Sequence, residues 1–185
     1  VNDASGANAT TLKTAVNQLQ AKGGTQTQNG LNHAQRLLSS ADSARDSSKV
    51  VIVFTDGMPG DYGFEESVAT SAIASAKSMK DAGVTVYTVG IFTGANVDQL
   101  YGNTGFSKNS NGSVGSYWAN WGTSDGTDVP AGNRFLNYVS SNFKNASAIG
   151  LKAYSDWKLY YGWEVTQNFT RDKTGYYMTC LLYTS

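Results

Sequence analysis

The chain has 185 residues, long enough for one domain with a sizeable core. Its 14 basic and 14 acidic residues cancel, and the pI is near 6.7. That balance leaves no basic footprint for nucleic acid and no charge run for a membrane surface, and no apolar run approaches the roughly 20 residues that span a bilayer.

Only 15% of residues are charged, while Ser, Thr, Asn and Gly are plentiful, a composition that suits a secreted or wall-associated bacterial domain. The chain opens on Val1 without a signal peptide, so processing signals are expected to lie outside it.

Leu12, Val16 and Leu19 recur at helical spacing and predict a helix over Thr11–Gln20, closed by Gly23-Gly24. Leu31, Ala34, Leu37 and Leu38 predict a second helix over Asn29–Ser40. Val50–Thr55 is an apolar, mostly β-branched run that ends in Asp56-Gly57, the pattern of a strand buried on both faces. The strongest helix is Glu65–Ala82, where Val68, Ala72, Ala76 and Met79 share a face, with Gly83 as the stop signal. Val84–Ile91 is the next strand, and strand, helix and strand together make a parallel βαβ unit.

Residues 103–133 are crowded with Gly, Ser and Asn, carry Tyr117, Trp118 and Trp121, and read as an insertion. Those aromatics suit either packing within the insertion or a platform for a sugar or peptide. Helical spacing resumes at Phe135, Val139 and Phe143. Alternation from Trp157 to Val165, within the aromatic stretch Tyr154–Tyr177, predicts one or two strands. One back-translation of the last six residues, Cys180–Ser185, reads TGTCTCTTATACACATCT and resembles a transposase mosaic end. We expect 180–185 to be adapter read-through, leaving 1–179 as the natural segment.

In an open α/β sheet, ligands sit outside the carboxyl ends of the strands, where Asp56 is expected to emerge. The hydroxyl-bearing glycine loop Gly23-Gly24-Thr25-Gln26-Thr27 lies upstream, and the two segments look like arms of one hard-cation site. Simpler roles are open for each: Thr25 as a helix cap and Asp56-Gly57 as a turn. Asp61, Glu65 and Glu66 fall near the same rim as solvated or helix-start residues. His33 is the only histidine and has no partner for zinc.

Together these motifs resemble the von Willebrand factor type A domain, in which three loops assemble a metal-ion-dependent adhesion site. The resemblance implies an α/β, Rossmann-like open and mainly parallel sheet flanked by helices. It implies Thr25 and Asp56 as metal ligands, supported by Gly24, Thr27 and Gly57, with Mg²⁺ (or Mn²⁺ or Ca²⁺) as the ion. The family's first motif, Asp-x-Ser-x-Ser, is absent; Asp3-Ala4-Ser5-Gly6-Ala7 is the nearest string. The chain therefore reads as a partial domain without the first strand and helix and without the closing helix. Such a fragment is expected to bind Mg²⁺ weakly or not at all and to expose apolar sheet surface.

The wording of Thr55–Phe64 and Val86–Ile91 is similar to the Gram-positive surface-protein branch of the family. That branch implies an extracellular, cell-surface or wall location and a protein, matrix or host-surface ligand, with no nucleic acid. A metal-free structural module of the same fold is the alternative. An Mg²⁺-dependent phosphate-handling enzyme fits less well, because Gly23–Thr27 lacks a phosphate-loop lysine and no nucleophile–base pair is visible. The chain reads as a binding module and not an enzyme.

Overall fold

Val50–Thr55 forms strand β1 and pairs in parallel with β2, Thr85–Gly90, from Val50 opposite Thr85 to Thr55 opposite Gly90. On the other edge of β2 lies β7, Tyr177–Thr179, also parallel, with Thr88 opposite Tyr177. The computed structural model describes residues 6–20, 23–40, 48–56, 58–61, 63–98, 106–108, 114–117, 129–156 and 159–180. Within them, the order β1-β2-β7 makes an all-parallel sheet, as expected for an α/β Rossmann-like fold.

Helix α1 spans Gly6–Asn17, α2 Thr27–Ser40, α3 Glu66–Asp81 and α4 Val129–Val139. Two antiparallel pairs complete the fold: β3, Phe106–Lys108, with β4, Val114–Tyr117, and β5, Leu151–Asp156, with β6, Leu159–Val165. The 154–177 stretch thus yields a hairpin partner and the start of β7, while Trp118 and Trp121 lie outside the described residues. The first helix starts five residues earlier than its apolar spacing predicts and ends at Asn17. The small residues before Thr11 carry no periodic signal that marks the start, and Leu19, which continues the apolar spacing, falls beyond the end of the helix. Helix α4 begins at Val129, inside the stretch read as insertion.

Alternation along each strand gives the sheet two faces. Val51 and Val53 of β1, Val86 and Thr88 of β2 and Tyr177 of β7 share the inner face, which packs on α3 and α4. From α3 come Val68, Ala69, Ala72, Ile73, Ala76 and Met79. From α4 and the residues just after it come Phe135, Leu136, Val139 and Phe143, and Phe64 meets the Phe135 ring edge-on at 6.4 Å. The outer face is different. Val50, Ile52 and Phe54 are 47%, 54% and 65% exposed, so β1 is not buried on both faces as its composition predicts. A strand's apolar run records what it can tolerate, and no described element covers this side. The expected exposure of apolar sheet surface is what these three residues display.

From Ala131 onward helix α4 is buried all round, including its polar residues Asn133, Arg134 and Asn137. Buried polar groups need partners. Asn133 Nδ2 donates to the Gly94 carbonyl at 3.0 Å, Asn137 Nδ2 to Val97 at 3.1 Å, and Arg134 Nε to Ile149 at 2.7 Å. The Arg134 guanidinium also lies over the Tyr138 ring, 4.6 Å from its centroid. Lys80 of α3 is 6% exposed and donates from Nζ to the carbonyls of Tyr138, Ser140 and Phe143 at 2.8, 3.1 and 2.6 Å. These acceptors surround the C-terminal end of α4, where carbonyls lack helical partners and a cation is favoured.

Candidate metal-binding site

Strand β1 carries Asp56 to the carboxyl edge of the sheet, where its carboxylate is exposed. The Thr55 carbonyl accepts from Ile91 N–H at 3.0 Å, which holds the ends of β1 and β2 together just before Asp56. Upstream, the chain enters α2 through Gly23–Gln26. The helix begins at Thr27, so Gln26 flanks it and Thr25 stands one residue further out. Thr25 is therefore not the cap of this helix.

Its main chain instead pairs with the loop after β1. Thr25 N–H donates to the Gly60 carbonyl at 2.7 Å, and Gly60 N–H returns a bond to the Thr25 carbonyl at 3.0 Å. The two form an isolated antiparallel bridge. This bridge brings the glycine loop and the Asp56 loop, more than 30 positions apart in sequence, onto one rim. It uses only backbone groups of Thr25, so the hydroxyl is not consumed by it.

Two glycines make the approach possible. A Cβ on Gly24 would sit 2.2 Å from Asp61 Oδ1, 2.3 Å from Asp61 Cα and 2.7 Å from the Gly60 carbonyl oxygen. Gly60 itself holds φ +144°, and a Cβ there would meet the Gly63 carbonyl oxygen at 2.2 Å. A side chain at position 24 would force the two loops apart, and one at position 60 would distort the turn that runs to Glu65.

The acidic residues of the rim are not simply solvated. Gln26 Nε2 donates to Asp61 Oδ1 at 2.7 Å, which adds a side-chain tie beside the backbone bridge. Glu65 flanks the start of α3 in extended conformation and makes no side-chain cap. Its Oε1 instead accepts from Asp61 N–H at 3.0 Å, while its own N–H donates to the Pro59 carbonyl at 2.7 Å. Glu66 remains in the first turn of α3, as expected of a residue that complements the helix dipole. No periodicity marks the Gln26–Asp61 pair, because long-range polar contacts leave no local pattern.

Among the other expected site residues, Thr27 opens α2 and its Oγ1 is buried without a hydrogen-bond partner. Gly57 lies outside the described residues. His33 is on the exposed side of α2. A cavity of about 380 Å³ opens beside the rim between α2 and β1, lined by Thr25, Thr27, Leu31, Ala34, Val53 and Thr55 among others.

The donor set suits a hard cation only in part. Thr25 and Asp56 offer a neutral and an anionic oxygen, as Mg²⁺ prefers, but an octahedral ion needs six. Among the described residues, no group of three or more His, Cys, Asp or Glu residues could hold a metal. The rim fits an open, water-rich site and not a closed protein cage. No helix of the described residues is long and apolar enough to cross a membrane.

In comparison with known proteins, the family model of the von Willebrand factor type A domain matches residues 1–115. No curated protein and no solved structure matches the chain. The family match covers the glycine loop, the Asp56 strand and the βαβ unit that the rim is built on. The chain belongs to the von Willebrand factor type A domain family, whose members are generally interaction modules.

Proposed function

We propose that this chain is a metal-ion-dependent adhesion domain of a bacterial cell-surface protein, of the Gram-positive branch, acting outside the cell by binding and not by catalysis. The observation that supports the reading is the Thr25–Gly60 bridge, which ties the glycine loop to the loop that follows Asp56. Thr25 and Asp56 are the residues that would hold Mg²⁺, with Mn²⁺ or Ca²⁺ as substitutes. Gly24 and Thr27 shape the loop around Thr25. A cation held by few carboxylates stays under-neutralised and attracts an oxygen ligand from a partner. The partner on this reading is a protein, matrix or host-surface molecule that presents an acidic side chain. Asp61 and Glu65 keep the two loops in register.

The test is a Mn²⁺ titration followed by calorimetry and by the electron paramagnetic resonance of free Mn²⁺, using wild type, Asp56→Asn and Thr25→Val. With two protein donors, the wild-type chain should bind weakly, with Kd on the order of a millimolar, and each variant should weaken binding several-fold further. Equal binding by all three proteins would refute the assignment of these residues. A metal-free interaction module of the same fold is the second reading. It predicts partner binding that ignores EDTA.

A further inference from the structure

We propose that a cavity at the end of the sheet opposite the Asp56 rim binds a small divalent oxyanion, of the class of sulfate or inorganic phosphate. The cavity has a volume of about 210 Å³ and is lined by Lys80, Thr85, Ser141, Lys144, Asp172 and Lys173 among others. Thr85 is the first residue of β2, so this is the amino end of the parallel strands, whereas Asp56 follows their carboxyl end. None of the described lining residues belongs to β1. One water takes up about 30 Å³ of the liquid, so a four-oxygen ion fits here together with waters.

Charge selects the ligand. Three lysines and one aspartate line the cavity, an excess of two positive charges in a chain of zero net charge. Lys80 is 6% exposed, and its ammonium donates to the carbonyls of Tyr138, Ser140 and Phe143. Carbonyl dipoles hold the group in place but bring no countercharge. The two carboxylates that act on it are engaged elsewhere. Asp81 pairs with Lys77 at 2.6 Å, and Asp172 Oδ2 accepts from Lys144 N–H at 2.7 Å. A buried charge needs a partner, and an anion in the cavity supplies one. Lys144 and Lys173 are exposed and form no ion pair among the described residues, so their ammonium groups are available to the ion as point charges. Ser141 Oγ accepts from Val86 N–H at 2.9 Å, which leaves its own proton to donate. The N–H groups of Asp172 and Lys173 both donate to the Asn142 carbonyl, at 2.8 and 3.2 Å, and fix the backbone beneath the two side chains.

Lys80 responds to the ion through its charge, since its protons are already taken by carbonyls. The charged and titratable groups around it are Lys77 and Asp81 on α3, Lys144 after α4, and Asp172, Lys173 and Tyr176 ahead of β7. Burial pushes Lys80 from 10.5 down to about 7, with Asp81 and Asp172 opposing the fall and Lys77 adding to it. An anion favours the ammonium form, and by reciprocity the ammonium form favours the anion. Below pH 7 Lys80 is charged in the free protein and binding is at its tightest. As pH rises past about 7 that charge is lost and affinity falls. The fall should be about tenfold, the effect of one unit charge a few ångströms beyond contact in partly hydrated surroundings.

An NMR titration of the backbone amides with sodium sulfate, at constant low ionic strength and at intervals from pH 6 to 9, tests the proposal. Sulfate keeps both charges over that range, so a change in affinity reports the protein alone. Wild type should bind with Kd on the order of a millimolar at pH 6, with the shifts centred on Ser141, Lys144 and Lys173. Lys144→Ala and Lys173→Ala replace exposed side chains, so each should leave the circular dichroism spectrum unchanged and weaken binding about fivefold. Lys80→Met should bind weakly with an affinity that no longer depends on pH. Three results would each overturn the proposal. One is a wild-type chain that shows no binding at about 50 mM sulfate. Another is equal affinity in wild type and both alanine variants, which places the ion elsewhere on the surface. The third is a wild-type affinity that stays constant from pH 6 to 9, which removes the ion from the neighbourhood of Lys80.

Discussion

Replacing Lys80 by methionine tests whether a buried cation is a fastener or a burden in this core, and the answer depends on pH. Burial pushes the Lys80 ammonium from 10.5 down to about 7, with Asp81 and Asp172 pulling it back up and Lys77 adding to the fall. That drop corresponds to roughly 5 kcal/mol against the charged form in the folded protein. The sign follows from proton counting. Between pH 7 and 10.5 the unfolded chain keeps a proton on Lys80 that the folded chain has shed, so this group's contribution to stability rises with pH, by up to about 1.4 kcal/mol per pH unit. Below pH 7 both states are protonated and the contribution is flat at its minimum.

Against this stand the three carbonyls of Tyr138, Ser140 and Phe143, which methionine would leave without a donor. Unpaired buried acceptors cost about 1–3 kcal/mol each, and not additively, so the loss is of order 3 kcal/mol. At pH 9 about 2 kcal/mol of the penalty for burying Lys80 remains, and Lys80→Met should destabilise by only about 1 kcal/mol. At pH 7 relief from burying the charge, about 4 kcal/mol, exceeds that loss, and the variant should be about 1 kcal/mol more stable than wild type. Urea denaturation followed by tryptophan fluorescence, at intervals from pH 6 to 9, reads the difference directly. Parallel profiles for the two proteins would refute the reasoning. They would mean that the carbonyl tripod holds the proton on Lys80 throughout and outweighs burial.

Other consequences are simpler. Gly24→Ala should separate the Thr25 and Asp61 loops and lower Tm by roughly 5 °C, since overpacking of this kind costs about 1–3 kcal/mol; an unchanged melting curve would show that the loops adjust freely. Tyr177 donates its hydroxyl proton to Asn133 Oδ1 at 2.7 Å, and Asn133 also accepts from Asn96 N–H at 2.8 Å. Tyr177→Phe therefore leaves that acceptor satisfied and should cost only about 1 kcal/mol in urea denaturation. Burial raises the Tyr177 phenol well above its usual 10, so the folded state keeps a proton that the unfolded state loses. Wild type should lose stability relative to Tyr177→Phe as pH climbs past 10, and a constant difference from pH 9 to 11 would contradict that.

The elements that pack by local period were legible beforehand. The β1 strand has the bounds Val50–Thr55 that its apolar run predicts, and α3 lies within one residue of its predicted ends at each side, because Val68, Ala72, Ala76 and Met79 mark its buried face. Helix α4 was half missed. Its first turns carry Asn133 and Arg134, residues that look like loop until tertiary partners bury them. Gly23-Gly24-Thr25 and Asp56 were recognisable as a site because both motifs are short and contiguous.

The βαβ unit, the family and the two loop motifs were readable from local pattern, since each is written in residues close together along the chain. How those loops meet was not, and it emerged only from the folded chain. The Thr25–Gly60 bridge, the Gln26–Asp61 tie and the need for glycine at position 24 are contacts between segments some 35 residues apart. The folded chain also decided which face of β1 is covered. An apolar run states that burial is tolerable, but whether a side chain is buried depends on what packs across from it, and that is a property of the whole chain.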